Sequence, residues 1–396
     1  MSSSSSQPLA GRRIWIAGIG GAGMSSYALL ADAWGAEVAG WDRVETPYLR
    51  HLDGLDIAIG PEPPQPPDGW EVYVSTAFAG RVGGRPRSDL LAELVSLRRS
   101  IVVAGAHGKT TTSAMIAFCL QRLGQDPAFL IGGEVPQLGG NAGAGRGWLV
   151  VEGDEFDGTV AHLRPEIAVL LNVDLDVHHP DVGTRSSLEQ LFEEWLSHAP
   201  QVVRAEQLDP VDLELGVPGE HNRRNAAAAL AALELAGVAR RDAERVLVEF
   251  TGAGRRLEEK GEAGGVRVLD SYAHHPAEIA ADISALGDRV IALFQPHLYS
   301  RTLHLAHGFA TALARAHAAC ITDVYPAREQ PIDGVDGRLI VEELAAVRPG
   351  MRIGWTPEPE AAARIVASWA RPGDVVVTLG AGDVDRVAPL LLELLA

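Results

Sequence analysis

The chain has 396 residues, too many for one ordinary domain and enough for two or three. Its composition, 46% hydrophobic and 22% charged, is that of a globular protein and excludes disorder for the chain as a whole. With 34 basic against 52 acidic residues the net charge is −18, which excludes broad phosphate neutralisation of a nucleic acid. Two cysteines, Cys119 and Cys320, make no disulfide framework and suit a reducing cytoplasm. No apolar run reaches the roughly 18 residues of a membrane span, so membrane insertion is not expected. Of the 34 basic residues 32 are arginine, leaving Lys109 and Lys260 as the only lysines. A chain that writes its cations as arginine keeps a lysine where a planar fork will not serve.

In chain order, residues 1–10 read as a disordered serine-rich tail. Ile14 to Gly18 is a short apolar strand, followed by a glycine turn and a helix from Ser25 to Trp34. Glu37 to Trp41 and Glu71 to Ser75 are further strands, the prolines from Pro61 to Pro67 a loop, and Asp89 to Arg99 a helix. Ile101 to Gly105 opens a second unit whose helix runs from Lys109 to Leu123. Trp148 to Glu152 and Ile167 to Val173 are strands, Ser187 to His198 an amphipathic helix, and Asn225 to Leu235 a closely packed alanine-rich helix. Gly252 and Gly254 mark a boundary. Strands follow at Val266 to Leu269, Val290 to Phe294, Ala319 to Asp323 and Val375 to Leu379. This alternation predicts an α/β fold with parallel sheets.

Two glycine loops sit between a strand and a helix. In Gly18-Ile19-Gly20-Gly21-Ala22-Gly23-Met24 the glycines let backbone approach a diphosphate at a helix N-terminus, and Asp42 closes the next strand where a ribose- or base-binding acid belongs. The same turn serves a dehydrogenase, or simple strand–helix packing, so it says nucleotide without saying which. In Gly105-Ala106-His107-Gly108-Lys109-Thr110-Thr111-Thr112 backbone N–H groups can cradle phosphates. Lys109 can reach the β and γ oxygens and Thr110 can ligate Mg²⁺. The rare lysine makes ATP the best-supported ligand.

Acids and histidines follow two strands, at Glu152-Gly153-Asp154-Glu155-Phe156-Asp157 and from Asn172 to His179. They read either as oxygen ligands for Mg²⁺ beside the phosphates or as solvated strand ends. Three later polar loops each follow an apolar strand: Asp270 to Pro276, Phe294 to Thr302 and Gly380 to Asp383.

The strings GIGGAGM, AHGKTTT, EGDEFDG, Pro218-Gly219-Glu220-His221-Asn222 with Asn225, DSYAHHP, FQPHLYSRT, DVYPA and LGAGD, in this order, resemble the Mur ligase family, from about Arg13 to Asp383. The resemblance implies a Rossmann-like UDP-sugar domain (11–99), a P-loop-type ATPase domain (100–250) and a Rossmann-like third domain (251–396). It also implies ATP and Mg²⁺, with UDP-N-acetylmuramate and L-alanine as substrates in peptidoglycan precursor synthesis. ATP would phosphorylate the lactyl carboxylate and the amine would displace phosphate.

Carried over by position, Gly18, Gly20, Gly21, Gly23, Met24 and Asp42 would bind the UDP-sugar. Gly105, Ala106, His107, Gly108, Lys109, Thr110 and Thr111 would bind ATP, with Asn222, Asn225, Arg256 and Asp270. Tyr272, His274 and Arg301 would bind the amino acid, and Lys109, His274 and Arg301 would be catalytic. Thr110 and Glu152 would ligate the metal. Where the family shows Asp-His this chain has Asp176-Val177, so His178 is expected as the third ligand. Leu298 stands where an arginine is usual, and the stretch from His179 to Pro218 is several dozen residues shorter than the family's, which implies a shortened ATPase domain. Some relatives carry a modified lysine in that domain, and this chain has none between Thr110 and Glu259. Two other readings share these motifs: a ligase that attaches a preformed peptide to the same UDP-sugar, and a non-catalytic nucleotide-binding relative. FQPHLYSRT favours the alanine-adding enzyme over the first, and the intact Gly-Lys-Thr argues against the second.

Overall fold

The computed structural model describes residues 7–154, 158–174, 184–327 and 329–396. Three sheets carry the fold. The first has five parallel strands in the order Asp56–Ile59, Glu37–Asp42, Arg13–Ala17, Glu71–Val74 and Arg85–Pro86. Its order reverses beside Arg13–Ala17, so the loops after that strand and after Glu71–Val74 open the crevice where an α/β sheet binds ligands.

The second sheet has six strands in the order Gln201–Arg204, Ile167–Leu170, Ser100–Ala104, Leu149–Glu152, Ala128–Val135 and Gly140–Ala144. The third runs Arg256–Ala263, Val266–Ser271, Val375–Leu379, Val290–Phe294, Ala318–Ile321 and Arg352–Trp355. Ser100–Ala104 and Val290–Phe294 are buried at every position, because helices cover both faces of a parallel sheet. The expected parallel strands carry an antiparallel strand at one edge of each of these two sheets, where Gly140–Ala144 and Arg256–Ala263 pair with their neighbours. Their glycine-rich and charged sequences carry no buried-strand signal.

Two compact units result. The first takes the described residues up to Asp174 with 184–214 and 224–250, and the second takes 215–223 with the described residues from Thr251 on. The first two sheets both lie in the first of these units. A hydrophobic cluster runs from Ile16 and Leu30 to Val102 and Phe192. Asn141 of the second sheet's edge strand donates to Ser26 Oγ at 3.0 Å on the helix Ala22–Ala33. The expected tail also needs shortening: Leu9 is only 1% exposed, and its N–H donates to Trp34 O. Burying that leucine orders the residues around it.

The alanine-rich helix is longer than the sequence suggests, Glu220–Leu235, with Ala226, Ala228 and Ala229 fully buried. In the third sheet the strands Val266–Ser271, Val290–Phe294 and Val375–Leu379 lie side by side in parallel, so the three polar loops that follow them emerge at one edge.

Candidate active site

The first glycine loop is shaped by contacts that a side chain would destroy. A Cβ on Gly18, which has φ +84°, would meet Ser75 Oγ at 2.3 Å, and one on Gly20 would meet Asp42 Oδ2 at 3.0 Å. Asp42 is 7% exposed and accepts from Gly20 N–H at 2.8 Å and from Arg43 N–H at 2.7 Å. Its Oδ2 therefore holds the loop in shape, and its Oδ1 caps the N–H that follows it. Met24, expected among the sugar-binding residues, has its side chain in the core at 2% exposure. Gly21 lies exposed at the helix start, and Gly23 leaves room for Arg87, whose Nη1 would lie 3.3 Å from a Cβ there.

The phosphate loop is fastened from below. Gly105 (φ +130°) and Gly108 (φ +87°) take left-handed torsions that favour glycine, and Gly108 caps the helix Lys109–Arg122. Asn172, at the end of the neighbouring strand, accepts from His107 N–H and donates to His107 O, each at 2.9 Å. Asn225 Oδ1 would lie 2.4 Å from a Cβ on Gly108, so this asparagine packs directly under the loop. Lys109 Nζ donates to Gly105 O at 2.7 Å, which lays the ammonium across the loop. Ala106 and His107 are half-buried, while Thr110 and Thr111 are buried at the helix start.

Glu152 joins the loop to the next strand. It accepts from Thr110 Oγ1 at 3.2 Å and from Gly132 N–H at 2.7 Å. Gly132 was not legible as a site residue, although glycine inside a strand signals close approach. A Cβ there would sit 2.9 Å from Glu152 Oε2. The two hard oxygens also fit Mg²⁺, since adjacent ligands of an octahedron with ~2.1 Å bonds lie about 3 Å apart. The third expected ligand, His178, lies outside the described residues with Glu155, Asp157, Asp176 and Val177.

The second unit carries its own constellation. Asp270 is fully buried, and its oxygens accept from Arg255 Nε at 2.9 Å and Thr378 Oγ1 at 2.5 Å. Burial pushes the Asp270 carboxyl above its ordinary range, against the pull of Arg255. Arg255 also donates to Gly380 O and Gly382 O, so one guanidinium ties two loops together. The sequence pointed to its neighbour Arg256, which instead faces Glu278 at 3.7 Å and lies over the Tyr272 ring.

Tyr272 meets the His274 ring edge-on at 5.4 Å. His274 Nδ1–H donates to Tyr272 O at 3.0 Å, which leaves Nε2 as the lone-pair nitrogen, and burial holds the imidazole down to about 4. His297 lies 6.0 Å from it and stacks on Tyr325. Arg301 is buried and donates to His297 Nδ1 at 3.2 Å. Leu298, where the sequence departs from the family pattern, keeps its side chain buried at a strained φ of +70°. Arg255 and Leu257 share the left-handed region, at φ +55° and +53°. Strain of this kind gathers where packing must hold a site in one shape. Asn222, expected on the adenine side, donates to Pro218 O at 2.6 Å.

A glycine phosphate loop with a lysine laid across it, and an oxygen-donor pair at its helix start, define an α/β protein of the nucleoside-triphosphate-binding class. Comparison with known proteins narrows this. Residues 255–382 match the Mur ligase, glutamate ligase domain family. The UDP-N-acetylmuramate–L-alanine ligase of Streptomyces coelicolor is 38% identical over 98% of this chain and 98% of its own length. That of Thermobifida fusca is 35% identical over 97% and 96%. Among solved structures, the UDP-N-acetylmuramate–alanine ligase of Thermotoga maritima shares the fold at a TM-score of 0.78 and 24% identity, over 96% of this chain and 98% of that one. A murein peptide ligase of Psychrobacter arcticus superposes at 0.62 and 24% identity, over 97% and 99%. The chain belongs to the UDP-N-acetylmuramate–L-alanine ligase family of the Mur ligases. The alignment with the Thermobifida relative runs over 460 positions against the 396 residues here, so that relative carries segments this chain lacks.

Proposed function

We propose that the chain is an ATP-dependent ligase that joins L-alanine to the lactyl carboxylate of UDP-N-acetylmuramate. The observation that carries this reading is the match, along nearly its whole length, to relatives of that name, with the phosphate loop of Lys109 and Thr110 intact. A carboxylate is a poor acyl donor until it bears a good leaving group. One of its oxygens attacks the γ-phosphorus of ATP and ADP departs. The alanine nitrogen then attacks the acyl carbon, inorganic phosphate leaves with that oxygen, and the nitrogen loses a proton as the amide forms.

Each residue set has a task in this scheme. The N–H groups from Ala106 to Thr111 and the compact ammonium of Lys109 bind phosphate oxygens, where developing charge needs fixed donors. Asn225 packs beneath Gly108 and keeps the loop in that shape. Thr110 and Glu152 would hold Mg²⁺, with His178 as a further ligand, and the ion supplies charge neutralisation at the phosphates when bound. Gly18, Gly20, Gly21 and Gly23, shaped by Asp42, receive the UDP-sugar. In the second unit Arg301 offers a guanidinium for the amino-acid carboxylate. The neutral His274 accepts a hydrogen bond from the amine through Nε2, with Tyr272 setting its tautomer. Asn222, Arg256 and the Asp270–Arg255 pair shape the nucleotide side of that unit. Both nucleotide substrates are cytoplasmic metabolites, and no helix among the described residues is long and apolar enough to cross a membrane.

The test is ADP release by the purified protein with UDP-N-acetylmuramate and L-alanine, glycine, L-serine or a preformed muropeptide. Release that needs the UDP-sugar and is fastest with L-alanine supports the reading. Release that is equal without the UDP-sugar, or that prefers the peptide, overturns it.

A further inference from the structure

We propose that the amino-terminal edge of the third sheet carries a second anion site, built for a small phosphorylated molecule. Arg289 and His317 immediately precede the strands Val290–Phe294 and Ala318–Ile321, Arg352 starts Arg352–Trp355, and Arg371 lies in the turn before Val375–Leu379. With Arg348 and Trp369 they line a cavity of about 400 Å³. That volume lies in the roughly 300–1,000 Å³ range of small-molecule pockets. The catalytic loops leave the opposite ends of these same strands, so four or five residues of strand, roughly 15 Å, separate the cavity from them.

The charge here is unusual for this chain. The cavity is lined by four arginines and one carboxylate, Asp374, which Arg289 holds. Several arginines elsewhere are matched to acids, as in Arg99–Glu166, Arg204–Glu193 and Arg240–Glu244, while Arg164 and Arg315, which bond neutral acceptors, do not line this cavity with the others. Arg348 is fixed by the carbonyls of Ala314 and Ala316, neutral acceptors that leave its charge intact. Arg352 lies over the Trp369 ring at 5.6 Å, and Arg371 makes no ion pair among the described residues. Guanidinium forks converging on a concavity concentrate positive potential and match phosphate oxygens. A chain of net charge −18 repels a long polyanion, which favours a small ligand, and the indole offers a wall for its organic part.

Inorganic pyrophosphate is the probe, titrated calorimetrically into the full chain without nucleotide or Mg²⁺. It also suits the phosphate loop, so the Lys109→Ala variant removes that contribution. The first glycine loop can also take a diphosphate but does not contain Arg371, so in that background we expect a binding component weakened about 10-fold or more by Arg371→Glu and less by Arg371→Gln. Arg371 is exposed and its hydrogen bond to Asp374 comes from its backbone N–H, so both variants are expected to keep the parent's melting temperature. Absence of binding in Lys109→Ala, or binding indifferent to both Arg371 variants, overturns the proposal. Phosphatidylglycerol vesicles form the other arm. Sedimentation with vesicles that Arg371→Glu abolishes, without pyrophosphate binding, would assign the patch to a lipid surface and overturn the small-molecule form.

Discussion

Arg255 and Asp270 form an ion pair whose acid is wholly out of solvent, with Nε 2.9 Å from Oδ2. Because Arg255 also holds the carbonyls of Gly380 and Gly382, it joins the ends of two adjacent strands below the Tyr272 loop. Removing one partner of such a pair leaves a buried charge with too few donors. Arg255→Ala is therefore expected to destabilise the chain by about 3 kcal/mol, the lower end of the range for broken buried pairs because the guanidinium is partly exposed. Asp270→Asn keeps the shape without the charge and should cost less. Urea unfolding of both variants checks this, and a loss below about 1 kcal/mol for Arg255→Ala would contradict it.

Lys109 tests the phosphate loop. Its Nζ reaches back 2.7 Å to Gly105 O, a span that a compact ammonium fits and a planar fork overfills. Lys109→Arg keeps the charge, yet ADP release with UDP-N-acetylmuramate and L-alanine should fall by about 100-fold or more, the scale for one misplaced transition-state donor. Turnover within a factor of a few of the parent would remove the argument from the rare lysine.

Glu152 tests the oxygen-donor pair. Glu152→Gln preserves an acceptor for Gly132 N–H, but its amide turns a donor toward Thr110 and removes the charge that a divalent ion needs. The Mg²⁺ concentration for half-maximal turnover should rise about 10-fold or more. Asp154→Asn is the comparison, because Asp154 lies two positions along the same segment and faces Arg87 at 3.5 Å. Equal effects in the two variants would place the ion elsewhere.

What could be read in the sequence follows from burial. Val290–Phe294 and Val375–Leu379 appear where expected because a strand covered on both faces is written as an unbroken apolar run. Asp56–Ile59, Gln201–Arg204 and Arg352–Trp355 lie at sheet edges with side chains partly in solvent, so they carry no such run and were missed. The phosphate loop was legible because glycine and lysine are needed for reasons local to the loop. Arg255 was not, since its value comes from Asp270, fifteen positions away, and from a loop more than a hundred positions further on. Asp42 was found for its position, but its task of holding Gly20 emerges only in three dimensions.

Asp282 links this architecture to pH. It lies on the helix Pro276–Leu286, receives Ser271 Oγ–H on one oxygen, and has His221 Nε2 at 3.9 Å from the other. Burial pushes its carboxyl from 3.8 to about 7, with Glu278 adding to the rise and Arg256 and Ser271 opposing it. Between those two values the folded chain holds a proton that the unfolded chain has released. The stability this group contributes is thus fully present below 3.8 and is lost as pH rises through about 7. His221 and His274 act with the opposite sign, because burial lowers both, so the folded chain resists the proton that the unfolded chain takes up below its ordinary histidine value. Asp282→Asn cannot ionise and keeps an acceptor for Ser271. Its stability relative to the parent should therefore increase from pH 4.5 to pH 8.5, by on the order of 3 kcal/mol for a shift of this size. His274 remains in both proteins and drops out of the difference, and repeating the comparison in a His221→Gln background removes the contribution of the histidine 3.9 Å from Asp282. Urea unfolding of parent and variant at pH 4.5, 6 and 8.5 measures it. A difference that stays flat, or that falls as pH rises, would mean that Asp282 is ionised in the fold and paired with a protonated His221.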